Sequence, residues 1–153
     1  MTVTGLAFEE DRARESDVLA HLTRCDARFA PPLSSRVDLP AYAHRLHQRA
    51  RRFEAWADGA LVGMVAAYFD DEDGTAFISN VSVDKGFLGC GIASTLLTQA
   101  VARADTAGLT LVRLRVGATN SAARRLYEKC GFRTCLDDGE QVVMQLNLSR
   151  AIQ

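Results

Sequence analysis

Two short runs in this chain combine residue types and spacings that suit chemistry. The first is Leu88-Gly89-Cys90-Gly91-Ile92-Ala93-Ser94, in which small residues recur just before a helical pattern. Glycines let a backbone turn sharply and approach a ligand closely. The first turn of a helix presents N–H groups without intrahelical partners, at the positive end of its dipole. Together these suit an anion such as a pyrophosphate. Read alone, Gly-x-Gly before a helix is equally a tight turn. It is not a P-loop, because no Gly-Lys-Ser/Thr follows. It is not a dinucleotide fingerprint either, since Asp105 stands inside the helix and hairpins, not a βαβ unit, lie upstream.

The second run is Asn120-Ser121-Ala122-Ala123-Arg124-Arg125-Leu126-Tyr127-Glu128-Lys129-Cys130-Gly131-Phe132. In a helix, Asn120 and Tyr127 stand two turns apart on nearly one face, with the small Ala123 between them. Ala122, Leu126 and Cys130 form the neighbouring stripe, read here as the core contact. Tyr127 is either a half-buried core tyrosine or a phenol presented to something lying along that face.

Other candidates carry less. Cys90 begins a helix, where a thiol pKa can fall, but it sits at a variable position of its loop. His44 and His47 are i, i+3 on one helix and lack a third ligand, so no metal site is expected. The basic run over 44–52 and the acidic turn over 70–73 read as solvated surface. Phe29, Tyr42, Trp56 and Tyr68 either line a pocket or fill the core.

The elements that must position these runs follow from periodicity. Residues 3–8 read as a strand and 15–25 as a helix with Val18, Leu19 and Leu22 on one side. A second helix begins at Asp38-Leu39-Pro40, a cap followed by a first-turn proline, and runs to about 50. Strands over 53–57, 61–69 and 76–83 are joined by turns at Asp58-Gly59 and 70–74. The period then lengthens, with Ile92, Leu96 and Ala100 beside Leu97, Val101 and Ala104, until Gly108 ends the helix. A strand over 110–116, a helix over 120–129 and a hairpin of 132–136 with 141–148 complete the chain. The order is β-α-α-β-β-β-α-β-α-β-β. It describes an α+β fold with a mixed, mostly antiparallel sheet of about seven strands, and one parallel crossover through the helix after residue 91.

Composition narrows the class. The chain has 153 residues, 48% hydrophobic and 24% charged, with 11 Gly and 3 Pro. That fits one globular domain and excludes low-complexity chains. No stretch approaches the ~18 apolar residues of a membrane helix, and the start lacks a signal pattern, so a cytoplasmic protein is expected. The net charge is −1, and residues 81–153 carry nine basic and six acidic side chains. That asymmetry suits an anionic ligand or is ordinary fluctuation, and it is far from a nucleic-acid footprint. Cys25, Cys90, Cys130 and Cys135 read as reduced thiols.

The two runs together resemble the GNAT superfamily of acyl-CoA-dependent N-acyltransferases. Its loop pattern, Arg/Gln-x-x-Gly-x-Gly/Ala, is met over 88–93, with Leu88 at the Arg/Gln position. Its helix pattern, Asn-x-x-Ala-x-x-Leu-Tyr-x-x-x-Gly-Phe, is met at every fixed position over 120–132. Asp58-Gly59-Ala60-Leu61-Val62-Gly63 is similar to a hairpin of the family.

The resemblance implies a single domain over 1–153, with helices on both faces of the sheet. Residues 53–148 would form the acetyl-CoA-binding core and 1–50 the acceptor side. Acetyl would move from acetyl-CoA, the co-substrate, directly to a primary amine of a small molecule or protein in a ternary complex. Pantetheine would run between the strands over 76–83 and 110–116, held by backbone near Val81 and Val83. The pyrophosphate would rest on the loop formed by Leu88, Gly89, Cys90, Gly91, Ile92, Ala93 and Ser94. Asn120 would touch pantetheine, and Tyr127 would protonate the leaving thiolate. Leu88 implies weaker CoA binding than the family residue would give. No nucleic-acid or membrane partner is implied, while a homodimer through the sheet edge is common in the family. Many members carry a Glu on the strand equivalent to 76–83, which has no carboxylate here. A non-catalytic acyl-CoA-binding module on the same fold is the alternative reading.

Overall fold

The computed structural model describes residues 5–29 and 31–148. Seven strands form one sheet in the order β1-β2-β3-β4-β5-β7-β6. They are β1 (Leu6–Glu10), β2 (Arg51–Ala57), β3 (Ala60–Asp70), β4 (Thr75–Val83), β5 (Leu111–Gly117), β6 (Arg133–Asp137) and β7 (Gln141–Asn147). The helices are α1 (Glu15–Cys25), α2 (Leu39–Arg49), α3 (Ile92–Thr106) and α4 (Ser121–Lys129). Every neighbouring pair is antiparallel except β4 with β5.

The expected order holds, and the shifts are local. The strand expected over 3–8 runs to Glu10, because β1 pairs with the whole length of β2 through Glu10↔Phe53. Val3 and Thr4 lie outside the described residues. Asp58 and Gly59 both have positive φ, 51° and 77°, as a two-residue hairpin turn requires. Asp38 caps α2 by accepting from the Ala41 N–H at 3.0 Å.

Helices cover both faces. The larger core joins β2–β5 and β7 to α3 and α4, with Leu96, Leu97 and Met144 fully buried. Burying one such side chain contributes about 1.5–3 kcal/mol. The second core lies under α1 and α2 and includes Val18, Leu22, Tyr42, Leu46, Trp56 and Met64. No residue of β5, β6 or β7 belongs to it among the described residues.

The register of β4 breaks once. Ala66 pairs with Asn80 and Ala67 with Ile78, leaving Ser79 as an extra residue. Such a bulge bends the strand and flips its alternation. Ala76 and Ile78 therefore share the α3/α4 face with Val81 and Val83, while Asn80 and Ser82 turn toward α1. Beyond the bulge β4 leaves its parallel partner, whose last paired position is Ile78↔Leu114.

Candidate active site

Parallel β4 and β5 end side by side, and each feeds directly into a loop and a helix. Both α3 and α4 thus begin at the end where their strands have parted. In open sheets such a parting is where ligands lodge. From Ser79 to Val83 the β4 backbone has no strand partner on its β5 side among the described residues. Val81 is half-buried and Val83 buried, both on the α3/α4 face. The Val83 carbonyl accepts a hydrogen bond from Arg28, a contact the sequence did not suggest.

The glycine loop closes one side of the gap. Gly89 and Gly91 stand at φ 79° and 76°, left-handed values that favour glycine. Nothing lies within 4 Å of where a Cβ would project at either, so the loop faces open space. Gly91 is the N-cap of α3 and no side chain caps the helix, which leaves the amides of Ile92, Ala93 and Ser94 available. The Ile92 side chain is buried in the core, Ala93 is half-buried and Ser94 exposed. Leu88 is 54% exposed on the rim. The Cys90 thiol turns back to the Leu88 carbonyl at 3.9 Å.

Gly63 of β3 lets α3 start this close to the sheet. A Cβ there would stand 2.7 Å from Ile92 Cγ2 and 3.3 Å from Ala55 Cβ. Overpacking of this kind costs about 1–3 kcal/mol. Gly63→Ala is therefore expected to lower stability by that amount in chemical denaturation, and to displace the first residue of α3. An unchanged denaturation midpoint would show that Ile92 yields freely.

The other side of the gap is α4. Asn120 is its N-cap, and its Oδ1 accepts from the Ala123 N–H at 3.2 Å, which leaves the side-chain NH₂ to donate outward. The expected core stripe of Ala122, Leu126 and Cys130 is corrected. Ala122 is exposed, and the core contact runs through Ala123, Leu126, Tyr127 and Cys130. On the face of Asn120 and Tyr127, Ala123 and Tyr127 pack on the core while Asn120 stays exposed. The Tyr127 ring meets Phe132 edge-on at 6.1 Å, held there because the chain turns at Gly131 and the Phe132 N–H returns to the Tyr127 carbonyl. Burial, reinforced by Cys130, pushes the Tyr127 phenol up to about 12. It is a neutral proton donor throughout the physiological range.

A polar cluster under the end of β4 was not legible in the sequence. His21 of α1 is fully buried. Its Nδ1 lies 2.7 Å from Asp84 Oδ1 and its Nε2 2.8 Å from Ser82 Oγ, which in turn donates to Asn80 Oδ1. Arg24 donates to Asp84 Oδ2 at 2.8 Å and to the Leu61 carbonyl. Burial raises the Asp84 carboxyl, but His21 and Arg24 outweigh it and hold the group below its ordinary value. Ligand atoms of His21, Cys25 and Asp84 lie within 4.8 Å of one another. Burial and the nearby Asp84 charge push the Cys25 thiol up to about 11, so it is a thiol, and Arg24 and Arg28 already supply positive charge. The cluster ties α1 to the residue that starts the glycine loop. His44 and His47 stand apart from it, and His44 pairs with Glu15 at the surface.

The family model for the GNAT acetyltransferases matches residues 17–132. The chain belongs to that family. Its fold is that of the ribosomal-protein-S18-alanine N-acetyltransferase from Escherichia coli, with a TM-score of 0.78 over 97% of both chains at 20% identity. The PaiA N-acetyltransferase from Thermoplasma acidophilum, solved with coenzyme A, gives a TM-score of 0.74 at 17% identity over 93% of this chain and 99% of that one. The N-acetylaspartate synthetase of Homo sapiens is 37% identical over 94 residues, covering 61% of this chain and 31% of that protein. The rat protein of the same name matches over the same shares. The chain thus spans about a third of these curated relatives. GNAT acetyltransferases act on amine acceptors, and no helix among the described residues is long and apolar enough to cross a membrane.

Proposed function

We propose that the protein transfers acetyl from acetyl-CoA directly to a primary amine in a ternary complex. The observation that carries this reading is the parting of β4 from β5 beside two helix N-termini, one left uncapped behind Gly89 and Gly91. The amides from Gly89 to Ser94 would receive the pyrophosphate, with Leu88 and Cys90 on the loop around it. The free edge of β4 near Val81 and Val83 would hold pantetheine and the thioester carbonyl, where a fixed N–H is a strong catalytic device. The side-chain NH₂ of Asn120 would donate to pantetheine. The amine nitrogen attacks the carbonyl carbon, the C–S bond breaks, and the sulfur takes the proton of Tyr127. The amine sheds its own proton to water or a base on the acceptor side, where α1 and α2 lie. Similarity to the N-acetylaspartate synthetases puts aspartate first among acceptors to try. The cytoplasm, with its acetyl-CoA, is the compartment proposed.

A second reading is a non-catalytic acyl-CoA-binding module. The exposed Leu88 at the family's Arg/Gln position and the carboxylate-free β4 favour it. One experiment tests both. Thermal melts with acetyl-CoA, free CoA and a longer acyl-CoA are expected to shift most with acetyl-CoA. At 100 times Kd the gain is about 2.7 kcal/mol, worth roughly 5–10 °C. Turnover with an amine panel then separates enzyme from binder. No shift with any CoA ester at millimolar concentration would defeat both.

A further inference from the structure

We infer that Arg113 and Arg115 of β5 form an anion subsite for the acceptor, so that the preferred amine carries a carboxylate. This rests on the acetyltransferase reading and deepens it. Val112, Leu114 and Val116 of β5 are buried against the α3/α4 core. The alternation of the strand therefore points Arg113 and Arg115 to the opposite face, the one that α1 and α2 cover farther along the sheet. Among the described residues no helix covers that face at β5 and β7, where the second core stops short. Arg113 stands beside Phe77 in the last stretch of β4–β5 pairing, and Arg115 is the first β5 residue past it. The two strand positions thus stand at the point where the strands part, about 7 Å from one another along the backbone.

Arg113 carries the argument. A solvent-facing strand arginine keeps its guanidinium in water. Here Nη2 donates to Gln145 Oε1 at 3.2 Å, while Nε is buried with no hydrogen-bond partner among the described residues. A buried, unmet donor on a charged group is costly, and an entering carboxylate oxygen would satisfy it. No carboxylate of the chain forms an ion pair with either arginine among the described residues. Asp138, in the β6–β7 turn, feels the Arg115 charge but takes its own hydrogen bonds from the Glu140 and Gln141 amides. On the same face the same cross-strand row adds Arg133, opposite Gln145 from the far side. The acceptor's amine would enter the parting from this face, with its carboxylate held by Arg113 and Arg115.

The test is calorimetric titration of the CoA-loaded protein with L-aspartate, L-asparagine and ethanolamine. L-Aspartate is expected to bind at least 10-fold tighter than ethanolamine. Arg113→Gln and Arg115→Gln are each expected to weaken L-aspartate by about 10- to 100-fold while leaving CoA affinity and the melting point unchanged. Arg113→Lys, which keeps the charge and loses the fork, should fall between. Equal affinities for L-aspartate and ethanolamine, no binding of either amino acid at millimolar concentration, or unaffected Gln variants would each overturn the subsite. Acetyl transfer is scored separately by CoA release. Arginine-dependent binding without transfer would support the subsite and defeat the acetyltransferase reading. Transfer that favours ethanolamine would do the reverse.

Discussion

Replacing Tyr127 with Phe is expected to lower kcat about 10²- to 10⁴-fold while acetyl-CoA affinity and melting temperature stay where they were. The size is that of a positioned general acid. The selectivity comes from the surroundings of the ring. Tyr127 is 8% exposed and its edge contact with Phe132 needs only the ring, which Phe retains. Its hydroxyl forms no hydrogen bond among the described residues, so no folded-state partner is stranded. A phenol held at about 12 is a weaker acid than the thiol of CoA, whose ordinary value is near ~8.5. A thiolate formed in the same buried site is destabilised by the same loss of water, which narrows this gap without reversing it; proton transfer accompanies C–S cleavage, and the proton shed by the amine restores the phenol. The pH dependence follows with its sign. Burial raises the phenol, so the acid form persists as pH rises, and no falling limb from this residue should enter between pH 6 and 10. Steady-state kinetics against pH, with calorimetry for acetyl-CoA, checks both halves. Unchanged kcat in Tyr127→Phe would remove the residue from the mechanism. A matched loss of affinity would make it a binding residue.

The residues that the sequence exposed are those whose partners are close in the chain. Gly89 and Gly91 need left-handed backbone, and the N-cap of α4 and the turn at Gly131 are satisfied within a few residues. Such features leave a local pattern. The bulge at Ser79 does not. Ile78-Ser79-Asn80 continues an unbroken alternation on paper, and only the register with Ala66 and Ala67 shows that the strand changes face there. That change turns Asn80 and Ser82 inward to His21, 61 residues from Ser82. His21 in turn reads as an ordinary polar position of α1, because its partners are two strands away in sequence. The same distance hides the subsite residues. Arg113 and Arg115 alternate with Val112, Leu114 and Val116 as any half-exposed strand would, and only the end of the second core leaves their face uncovered. In the core stripe of α4, Leu126 and Cys130 stand as the periodicity places them and Ala123 takes the place of Ala122, since the two alanines are equally small and only packing distinguishes them.

Loss of the Glu54 carboxylate is expected to be the most destabilising single change, and no pattern of residues signals it. In Phe53-Glu54-Ala55-Trp56 the glutamate falls where a half-exposed strand would place a solvent residue, yet it is fully buried under α1 and α2. It accepts from the Arg12 and Ala13 amides at 3.0 and 3.1 Å, from Arg52 Nε at 3.2 Å and from Trp56 Nε1 at 3.1 Å. Arg52 spends its remaining donors on the carbonyls of Leu46 and His47 at the end of α2, and of Ala50 and Ala13. The pair therefore fastens the turn after β1, the end of α2 and β2 to one another. Glu54→Ala leaves the buried Arg52 guanidinium with only the half-exposed Asp11 carboxylate at 3.8 Å and strands three further donors, and removing one member of such a pair costs about 3–5 kcal/mol. In a chain this size the melting temperature should fall by roughly 10 °C or more. Glu54→Gln keeps the shape but turns an NH₂ toward donors, so it should lose less than Ala and more than a surface change. Arg52→Met with Glu54→Met removes the stranded charge and should recover part of the loss, the Arg12, Ala13 and Trp56 N–H groups remaining unmet. Denaturant titrations of the three variants read this directly. A Glu54→Ala loss below about 1 kcal/mol would show that the carboxylate is dispensable. The same variants bear on function, because α1 and α2 cover the face from which an acceptor would enter. Loosening that layer is expected to raise the acceptor KM before it changes acetyl-CoA affinity, which depends on α3, α4 and the opposite face.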